Sequence, residues 1–258
     1  MDVLAFMINK PITILAETKD YLVVFKNSSV PSSVGKSPNS CFELVAKDFP
    51  EVAEIKGKNE NDGGLVHRLD TDTAGIILFA RNQDFYEKIM EAQSKNQFEK
   101  TYTAYCATTS LLKNKSDLVG KTISSYFRSF GEKGASVKPI FNPETETKAN
   151  RKKCGNKIYS TKICSIEDFA EKGDEKLVKV KCKIFSGFRH QVRSHLASQN
   201  LPVFGDKIYN ETCKNSDAAA GQMLFFASEI SFLGENYSLS EEMLDEIAKS
   251  SFFASATK

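Results

Sequence analysis

The chain has 258 residues, of which 41% are hydrophobic and 26% charged, and its formal net charge is +2. This composition is sufficient for a packed core and excludes a chain that is disordered throughout. It also excludes a protein that is strongly basic as a whole. No apolar run approaches the roughly 18 residues that a membrane-spanning helix needs, and residues 1–10 lack the pattern of a secretion signal.

The cysteines favour a reducing compartment. No two of them form a Cys-x-x-Cys pair, and their even spread indicates neither a zinc site nor a disulfide framework. We therefore expect a cytoplasmic protein. The six positions are Cys41, Cys106, Cys154, Cys164, Cys182 and Cys213.

Charge is distributed unevenly along the chain. Residues 113–157, here called the basic segment, hold eleven Lys/Arg against four Asp/Glu, whereas residues 211–258 hold eight acidic against three basic residues. Such asymmetry predicts a basic face that can meet phosphate. The alternative is a solvated, lysine-rich loop without a partner.

In chain order, the hydrophobic pattern predicts strands over 12–15 and 21–25, a Ser- and Pro-rich loop over 28–40, and a short helix over 41–48. A turn over 59–64 leads towards a buried strand, residues 76–80.

The second half continues with a helix that begins at Asn82 or Asp84 and a strand over 100–107. Hairpins are expected in the basic segment. Residues 178–184 alternate apolar residues with Lys179, Lys181 and Lys183, which predicts a half-exposed strand.

A helix over 189–199 follows. These elements predict an α+β fold in which helices and loops flank a mostly antiparallel mixed sheet. We find no linker that would divide the chain and expect one domain, 1–258.

One carboxylate stands out because of its setting. In the string Gly64-Leu65-Val66-His67-Arg68-Leu69-Asp70-Thr71-Asp72, a polar turn precedes the buried strand at 76–80. Asp70 therefore lies beside the interior, where the fold can control its protonation and solvation. Asp72 is a second carboxylate, but its Thr-Asp-Thr setting favours hydrogen bonding within the turn.

A second polar string is Ser186-Gly187-Phe188-Arg189-His190-Gln191-Val192-Arg193-Ser194-His195-Leu196-Ala197. The helix places Arg189 and Arg193 on one face. The chain has three histidines: His190 and His195 in this string, and His67 in the first one. No cluster of Cys or carboxylates accompanies them, so we predict no metal site.

Three strings match one family in order. Residues 67–70 resemble the HRLD segment of RluA-type pseudouridine synthases, of the RluA/RsuA superfamily, and residues 186–197 resemble that family's GRxHQIRxHLA motif. Residues 100–104 resemble its K-x-Y-x-A strand. Weaker matches at 20–26 and 222–228 extend the resemblance over roughly 20–233.

The resemblance implies an RNA pseudouridine synthase with a single catalytic domain. Asp70 would be the catalytic carboxylate, as nucleophile or as base, Arg193 would face it, and Tyr102 would lie against the target uracil. RNA contacts are expected from His67, Arg68, Lys100, Arg189, His190 and Gln191. The family needs neither cofactor nor metal, and the expected partner is ribosomal or transfer RNA, bound by a monomer.

The sequence departs from the family pattern in four places, one of them a pair of residues. Asn27 replaces a Pro, Ala74 a Ser and Asn210 a Gly, and the Phe188-Arg189 pair replaces Arg-x. The chain begins near the first motif, so no N-terminal S4-type RNA-binding domain is expected.

Three alternatives remain. The chain could be a non-catalytic RNA-binding protein on the same fold, or a hydrolase with a single carboxylate, although glycosidases normally use two. The pair of Asp70 and Arg193 could also serve only to hold two segments together.

Overall fold

The computed structural model describes residues 10–35, 39–59, 61–108, 114–214 and 222–254. Residues 36–38 of the predicted loop, Glu60 of the predicted turn and Lys113 of the basic segment lie outside these ranges. The chain divides into two compact units. The first unit comprises residues 1–100 and 226–245, and the second comprises residues 101–225 and 246–258.

The strands are β1 (Ile12–Glu17), β2 (Tyr21–Lys26), β3 (Ala74–Ala80), β4 (Phe98–Ala107), β5 (Thr122–Phe130), β6 (Ser136–Ile140), β7 (Tyr159–Lys172), β8 (Glu175–Ile184), β9 (Phe225–Phe232) and β10 (Glu235–Ser238). The α-helices are α1 (Cys41–Asp48), α2 (Glu51–Glu54), α3 (Gln83–Ser94), α4 (Lys148–Arg151), α5 (Gln191–Ser198), α6 (Glu211–Lys214) and α7 (Glu241–Ala254). Three short 3₁₀ turns cover Lys115–Leu118, Glu132–Gly134 and Pro143–Thr145.

The sheet of the first unit runs in the order β1-β2-β3-β9, with β10 paired to β9. β2 and β3 are buried along their whole length, as expected for strands of continuous apolar sequence. β3 pairs with β9 in parallel through Ala74 and Gly75. At Gly75 a Cβ would lie 2.3 Å from the carbonyl oxygen of Ala227, so only glycine permits this approach.

Local signals define the helices of the first unit. Ser40 caps α1 in a reciprocal capping box with Glu43, and the side chain of Asn82 caps α3. Helix α1 packs Cys41, Phe42 and Val45 into a core with residues of β2 and β3. Val30, which precedes α1, packs against the same core.

The sheet of the second unit has the order β4-β8-β7-β5-β6, in which the pairs β7–β8, β5–β7 and β5–β6 are antiparallel. The basic segment contains the β5–β6 hairpin, as predicted, and then α4. After α4 the chain contacts the hairpin again, where Gly155 N–H donates to the carbonyl of Phe127 at 3.0 Å.

The predicted α+β fold with a mostly antiparallel sheet is confirmed. Helix α1 has the predicted bounds, and helix α5 begins two residues later than predicted, at Gln191. The β8 strand is confirmed, but its lysine face is less exposed than its alternation indicated, since Lys179 is only 6% exposed. That the chain is one domain stays a prediction.

No helix in the described ranges combines the length and the apolar character needed to cross a membrane.

Candidate active site

The Asp70 turn is built onto the edge of β3. Val66 N–H donates to the carbonyl of Leu78 at 3.0 Å, and Ala80 N–H donates to the carbonyl of Gly64 at 2.8 Å. The chain then leaves this pairing and turns back, with Thr73 N–H donating to the carbonyl of Asp70 at 3.0 Å. Asp70 is half-buried in this turn. The structure therefore places the carboxylate beside the interior, as the sequence predicted.

A buried cation lies beneath this turn. Lys26 is fully buried, and its Nζ donates to the carbonyls of Asn27 at 3.0 Å, Val30 at 2.7 Å and Thr71 at 3.1 Å. Burial lowers the pKa of Lys26 to about 8, and electrostatic interactions with Cys41, Asp70 and Asp72 oppose that shift. Lys26 thus contributes positive charge beside Asp70, a role that the sequence analysis did not assign.

The side chain of His67 contacts other residues of the first unit. Its Nε2 accepts from Leu78 N–H at 3.3 Å, and its ring lies 5.3 Å from that of Phe98. Burial lowers the pKa of His67 well below its usual value, with a further contribution from Lys100. The imidazole is therefore neutral near pH 7. RNA contact by His67 stays a prediction.

Arg68 and Lys100 differ in exposure. The Arg68 side chain is 52% exposed and pairs with Asp62 at 2.9 Å. Lys100 is 5% exposed, and its Nζ lies 4.8 Å from the centre of the Phe98 ring. Arg68 is accessible to a phosphate or a base, whereas Lys100 is covered. Contacts of both residues with RNA stay predictions.

Tyr102 lies on β4 in the second unit, 8% exposed. Its ring stacks on Phe225 with centroids 5.1 Å apart and planes inclined by 9°. Such a stacked pair gives an aromatic wall with a fixed orientation, which suits stacking on a nucleobase.

Arg193 lies on α5, a helix whose first six residues are all buried. Its Nε donates to Oδ2 of Asp206 at 2.7 Å and its Nη2 to Oδ1 at 2.8 Å, and both side chains are almost wholly inaccessible. Asp206 also accepts from the backbone N–H groups of Ile208 at 2.9 Å and Tyr209 at 3.1 Å. This bidentate pair orients the guanidinium.

Arg189 binds the basic segment. Its Nη2 donates to the carbonyl of Gly134, in the connection between β5 and β6, and, at 3.2 Å, to that of Ser136, the first residue of β6. Beside it, Phe188 stacks on Phe127 of β5 with ring centroids 5.0 Å apart. The Phe188-Arg189 departure from the family pattern therefore ties the hairpin to the start of α5. The Arg189 side chain remains exposed, and RNA contact by it stays a prediction.

His190 caps α5 in the left-handed conformation, with φ of 54°. Its Nδ1 is 3.1 Å from the hydroxyl of Tyr209, which also accepts from Val137 N–H at 2.8 Å. Burial raises the pKa of Tyr209 to about 12. The hydroxyl thus joins the α5 turn to β6. RNA contact by His190 stays a prediction.

The side chains of Gln191 and His195 are buried and form hydrogen bonds with other parts of the protein. Gln191 is 2% exposed, and its amide accepts from Phe188 N–H and donates to Ser160 O and Thr161 Oγ1. RNA contact by Gln191 stays a prediction. His195 is fully buried between Ser125 and Thr161, each 2.9 Å away, and burial lowers its pKa to about 4.

The sequence assigned no role to Asp206 or Tyr209. Both follow helix α5, and their roles depend on contacts with Arg193 and His190. Asn210, a departure from the family pattern, donates from its side chain to the carbonyl of Val203 at 3.1 Å. That Arg193 faces Asp70 stays a prediction.

Across the described ranges, no group of three or more His, Cys, Asp or Glu side chains is placed to hold a metal ion.

Comparison with known proteins identifies the family. The model of the RNA pseudouridylate synthase family matches residues 20–198, more than two thirds of the chain. The matched range includes Asp70, Tyr102 and Arg193. The chain belongs to this family, and the RluA-type resemblance is confirmed.

Curated relatives are distant and longer. An uncharacterized RNA pseudouridine synthase of Aquifex aeolicus is 29% identical over 78% of this chain and 57% of its own length. One of Mycoplasma pneumoniae is 26% identical over 86% of the chain and 62% of its own length. Ribosomal large subunit pseudouridine synthase D of Blochmanniella floridana is 24% identical, with coverages of 78% and 54%. The chain thus spans less than two thirds of these relatives.

Solved structures share the fold. Human RNA pseudouridylate synthase domain containing 1 has a TM-score of 0.62 at 20% identity, covering 88% of this chain and 82% of its own. Human RNA pseudouridylate synthase domain containing 4 also has a TM-score of 0.62, at 16% identity, covering 96% and 95%.

Proposed function

We propose that this protein isomerises uridine to pseudouridine in RNA, with Asp70 as the catalytic carboxylate. The observation that carries the proposal is the position of Asp70: half-buried, in a hydrogen-bonded turn at the edge of a buried strand, beside the charge of Lys26. Family membership over residues 20–198 supports the same reaction. Asp72, the other carboxylate of this turn, is exposed.

The reaction is an isomerisation. The bond from N1 of uracil to C1′ of the ribose breaks, the base turns, and C5 bonds to C1′. C5 then loses its proton and N1 gains one, so atoms and electrons balance without a redox partner. We propose that Asp70 either attacks the sugar carbon or removes a sugar proton, and the two routes remain alternatives.

We propose supporting roles for two residues of the second unit. Tyr102, backed by Phe225, is the stacking wall for the extruded base, and its hydroxyl assists removal of the C5 proton. Arg193, oriented by Asp206, pairs with Asp70 and fixes the orientation of the carboxylate. The fixed orientation of each side chain within its own unit supports these roles.

RNA is the proposed partner, bound by a monomer in the cytoplasm. Extruding the target base costs a few kcal/mol, and Arg68, whose side chain is half exposed, is proposed to fill the vacated space. The exposed cations of the basic segment supply attraction to phosphate that does not depend on sequence. One relative is named for the large ribosomal subunit, so ribosomal RNA is the first substrate to test, with transfer RNA second.

Pseudouridine mapping of total RNA tests the proposal in cells. RNA from cells with and without this protein is compared, and the deletion is complemented with the wild-type gene or with Asp70→Asn. We expect at least one uridine whose modification is lost in the deletion, restored by the wild type and not restored by the variant. Identical maps from all strains would contradict an enzymatic role and leave a non-catalytic RNA-binding protein.

A further inference from the structure

Lys26, at the end of β2, and two serines of the loop that follows it bind the backbone on either side of Asp70. The hydroxyl of Ser32 accepts from Leu69 N–H at 2.9 Å and donates to the carbonyl of the same residue at 2.7 Å. On the other side of Asp70, Nζ of Lys26 donates to the carbonyl of Thr71. The hydroxyl of Ser28 donates to the carbonyl of Asp72 at 3.0 Å.

We propose that Ser32 is a positioning residue that fixes where the Asp70 carboxylate points. This inference rests on the proposed function, because it assumes that Asp70 acts on the substrate. The Ser32 hydroxyl bonds only to Leu69 in this turn. Its effect on the reaction is transmitted through the single backbone link between Leu69 and Asp70.

Ser32 can do this because it is itself held firmly. The carbonyl of Ser32 accepts from Phe42 N–H at 3.1 Å, and the carbonyl of Pro31 accepts from Cys41 N–H at 2.7 Å. Both donors belong to the first turn of α1, which is packed into the core of the first unit. The hydroxyl is thus carried by a rigid element rather than by a freely moving loop.

The contact is also difficult to replace. Ser32 is 5% exposed and Leu69 is 7% exposed, so water has little access to either. One hydroxyl satisfies both the N–H and the carbonyl of Leu69, and removing it leaves two buried polar groups without their partner. The turn regains hydrogen bonds only by moving, and that movement carries Asp70 away from its position.

The loop that makes these contacts departs from the family pattern. Asn27 stands where the family has Pro, and its Oδ1 accepts from Ser28 N–H at 2.9 Å. Its backbone N–H, which a proline would lack, donates to the carbonyl of Pro11 at 2.9 Å. These bonds hold Ser28 in place for its contact with Asp72.

The test compares Ser32→Ala with Ser33→Ala, its neighbour, using release of tritium from C5 of labelled uridine in RNA. We expect Ser32→Ala to lower kcat on the order of tenfold or more, since small misplacements of a reacting group are costly, with KM changed less than about twofold. Ser33→Ala should match the wild type. Ser32→Thr, which keeps the hydroxyl, should recover most of the lost kcat.

One further measurement separates positioning from loss of folded protein. The fraction folded is followed by circular dichroism at the assay temperature, and kcat is expressed per folded molecule. If Ser32→Ala does not fold, Ser32→Cys decides, because its thiol occupies the same place but is a weaker hydrogen-bond donor and acceptor; we expect a smaller, roughly threefold, loss of kcat.

The outcomes distinguish this inference from the proposed function. If Asp70→Asn is inactive while Ser32→Ala, or Ser32→Cys in its place, has the kcat of the wild type, the positioning role is wrong and the catalytic role of Asp70 stands. If Asp70→Asn keeps full activity, the proposed function fails first.

Discussion

Arg193 holds both carboxylate oxygens of Asp206, through Nε at 2.7 Å and Nη2 at 2.8 Å. The plane of the guanidinium is therefore set by a buried partner 13 positions further along the chain. Asp206 also caps the N–H groups of Ile208 and Tyr209, so the pair connects α5 to the turn that follows it.

Asp206→Asn should destabilise the second unit. Asparagine keeps the size of the side chain and one acceptor oxygen, but it leaves the buried Arg193 charge without its counterion. We expect the free energy of unfolding in urea to fall by about 3 kcal/mol. The control is Glu91→Gln, which breaks an exposed pair with Lys95 and should leave the free energy of unfolding nearly unchanged, because water screens that pair. If the two variants lower the free energy of unfolding equally, burial of the Arg193–Asp206 pair does not add to its contribution to stability.

Tyr102→Phe should separate stacking from chemistry. The Phe225 stack survives in this variant, so we expect little change in stability, while loss of the hydroxyl lowers kcat about 10²-fold. Tyr105→Phe, a change on the same strand at a tyrosine packed against Phe169, should leave kcat unchanged. An unaltered kcat in Tyr102→Phe would remove the hydroxyl from the mechanism and leave only the aromatic wall.

Neutralising the exposed cations that follow β6 should weaken RNA binding. In the double variant Lys152→Gln/Lys153→Gln we expect a higher Kd, and a slope of log Kd against log salt reduced by about 0.7 for each phosphate that is no longer neutralised. Lys88→Gln/Lys95→Gln, at α3, removes the same charge from the first unit and serves as the control. If the two double variants change the slope equally, binding depends on net charge and the basic segment has no special role.

The buried His195 predicts a pH dependence of stability. Its pKa is about 4 in the folded protein, against about 6.5 when unfolded, because burial disfavours the imidazolium. Between these values the unfolded state binds more protons, so stability is full above pH 6.5 and is lost as the pH falls towards 4. The loss attributable to His195 is at most about 3 kcal/mol.

The measurement compares urea unfolding of the wild type and His195→Asn from about pH 8 to about pH 4. Asparagine does not titrate, so the stability advantage of the wild type should shrink as the pH drops below 6.5. A difference that stays constant over this range would contradict the assigned pKa.

The strands and helices that sequence predicted well share a local signal. β3 is a short apolar run, α1 carries its Ser40 capping box, and α3 begins at the cap Asn82. β7 was missed because its alternation is interrupted by two register shifts, at Ile163/Ser165 and Asp168/Ala170. Helix α7 was missed because its residues were interpreted only as an acidic stretch.

The motifs predicted the site residues that they contain, but not the residues that orient them. Asp70, Tyr102 and Arg193 stand in recognisable strings, but the partners that orient them come from elsewhere in the chain. Ser32 bonds to Leu69, 37 positions away, and Phe225, which stacks on Tyr102, is also distant from it in the sequence. Such pairings depend on tertiary contacts, which a single sequence does not encode as a local pattern.

The most direct test of the account measures pseudouridine formation by purified protein with Asp70→Asn, using Asp72→Asn as the matched control. Both changes replace a carboxylate in the same turn, and the Asp72 side chain is exposed. We predict that Asp70→Asn loses at least about 10³-fold in kcat while it still folds and binds RNA, and that Asp72→Asn stays close to the wild type. Full activity in Asp70→Asn, or equal losses in the two variants, would contradict the assignment of Asp70 as the catalytic carboxylate.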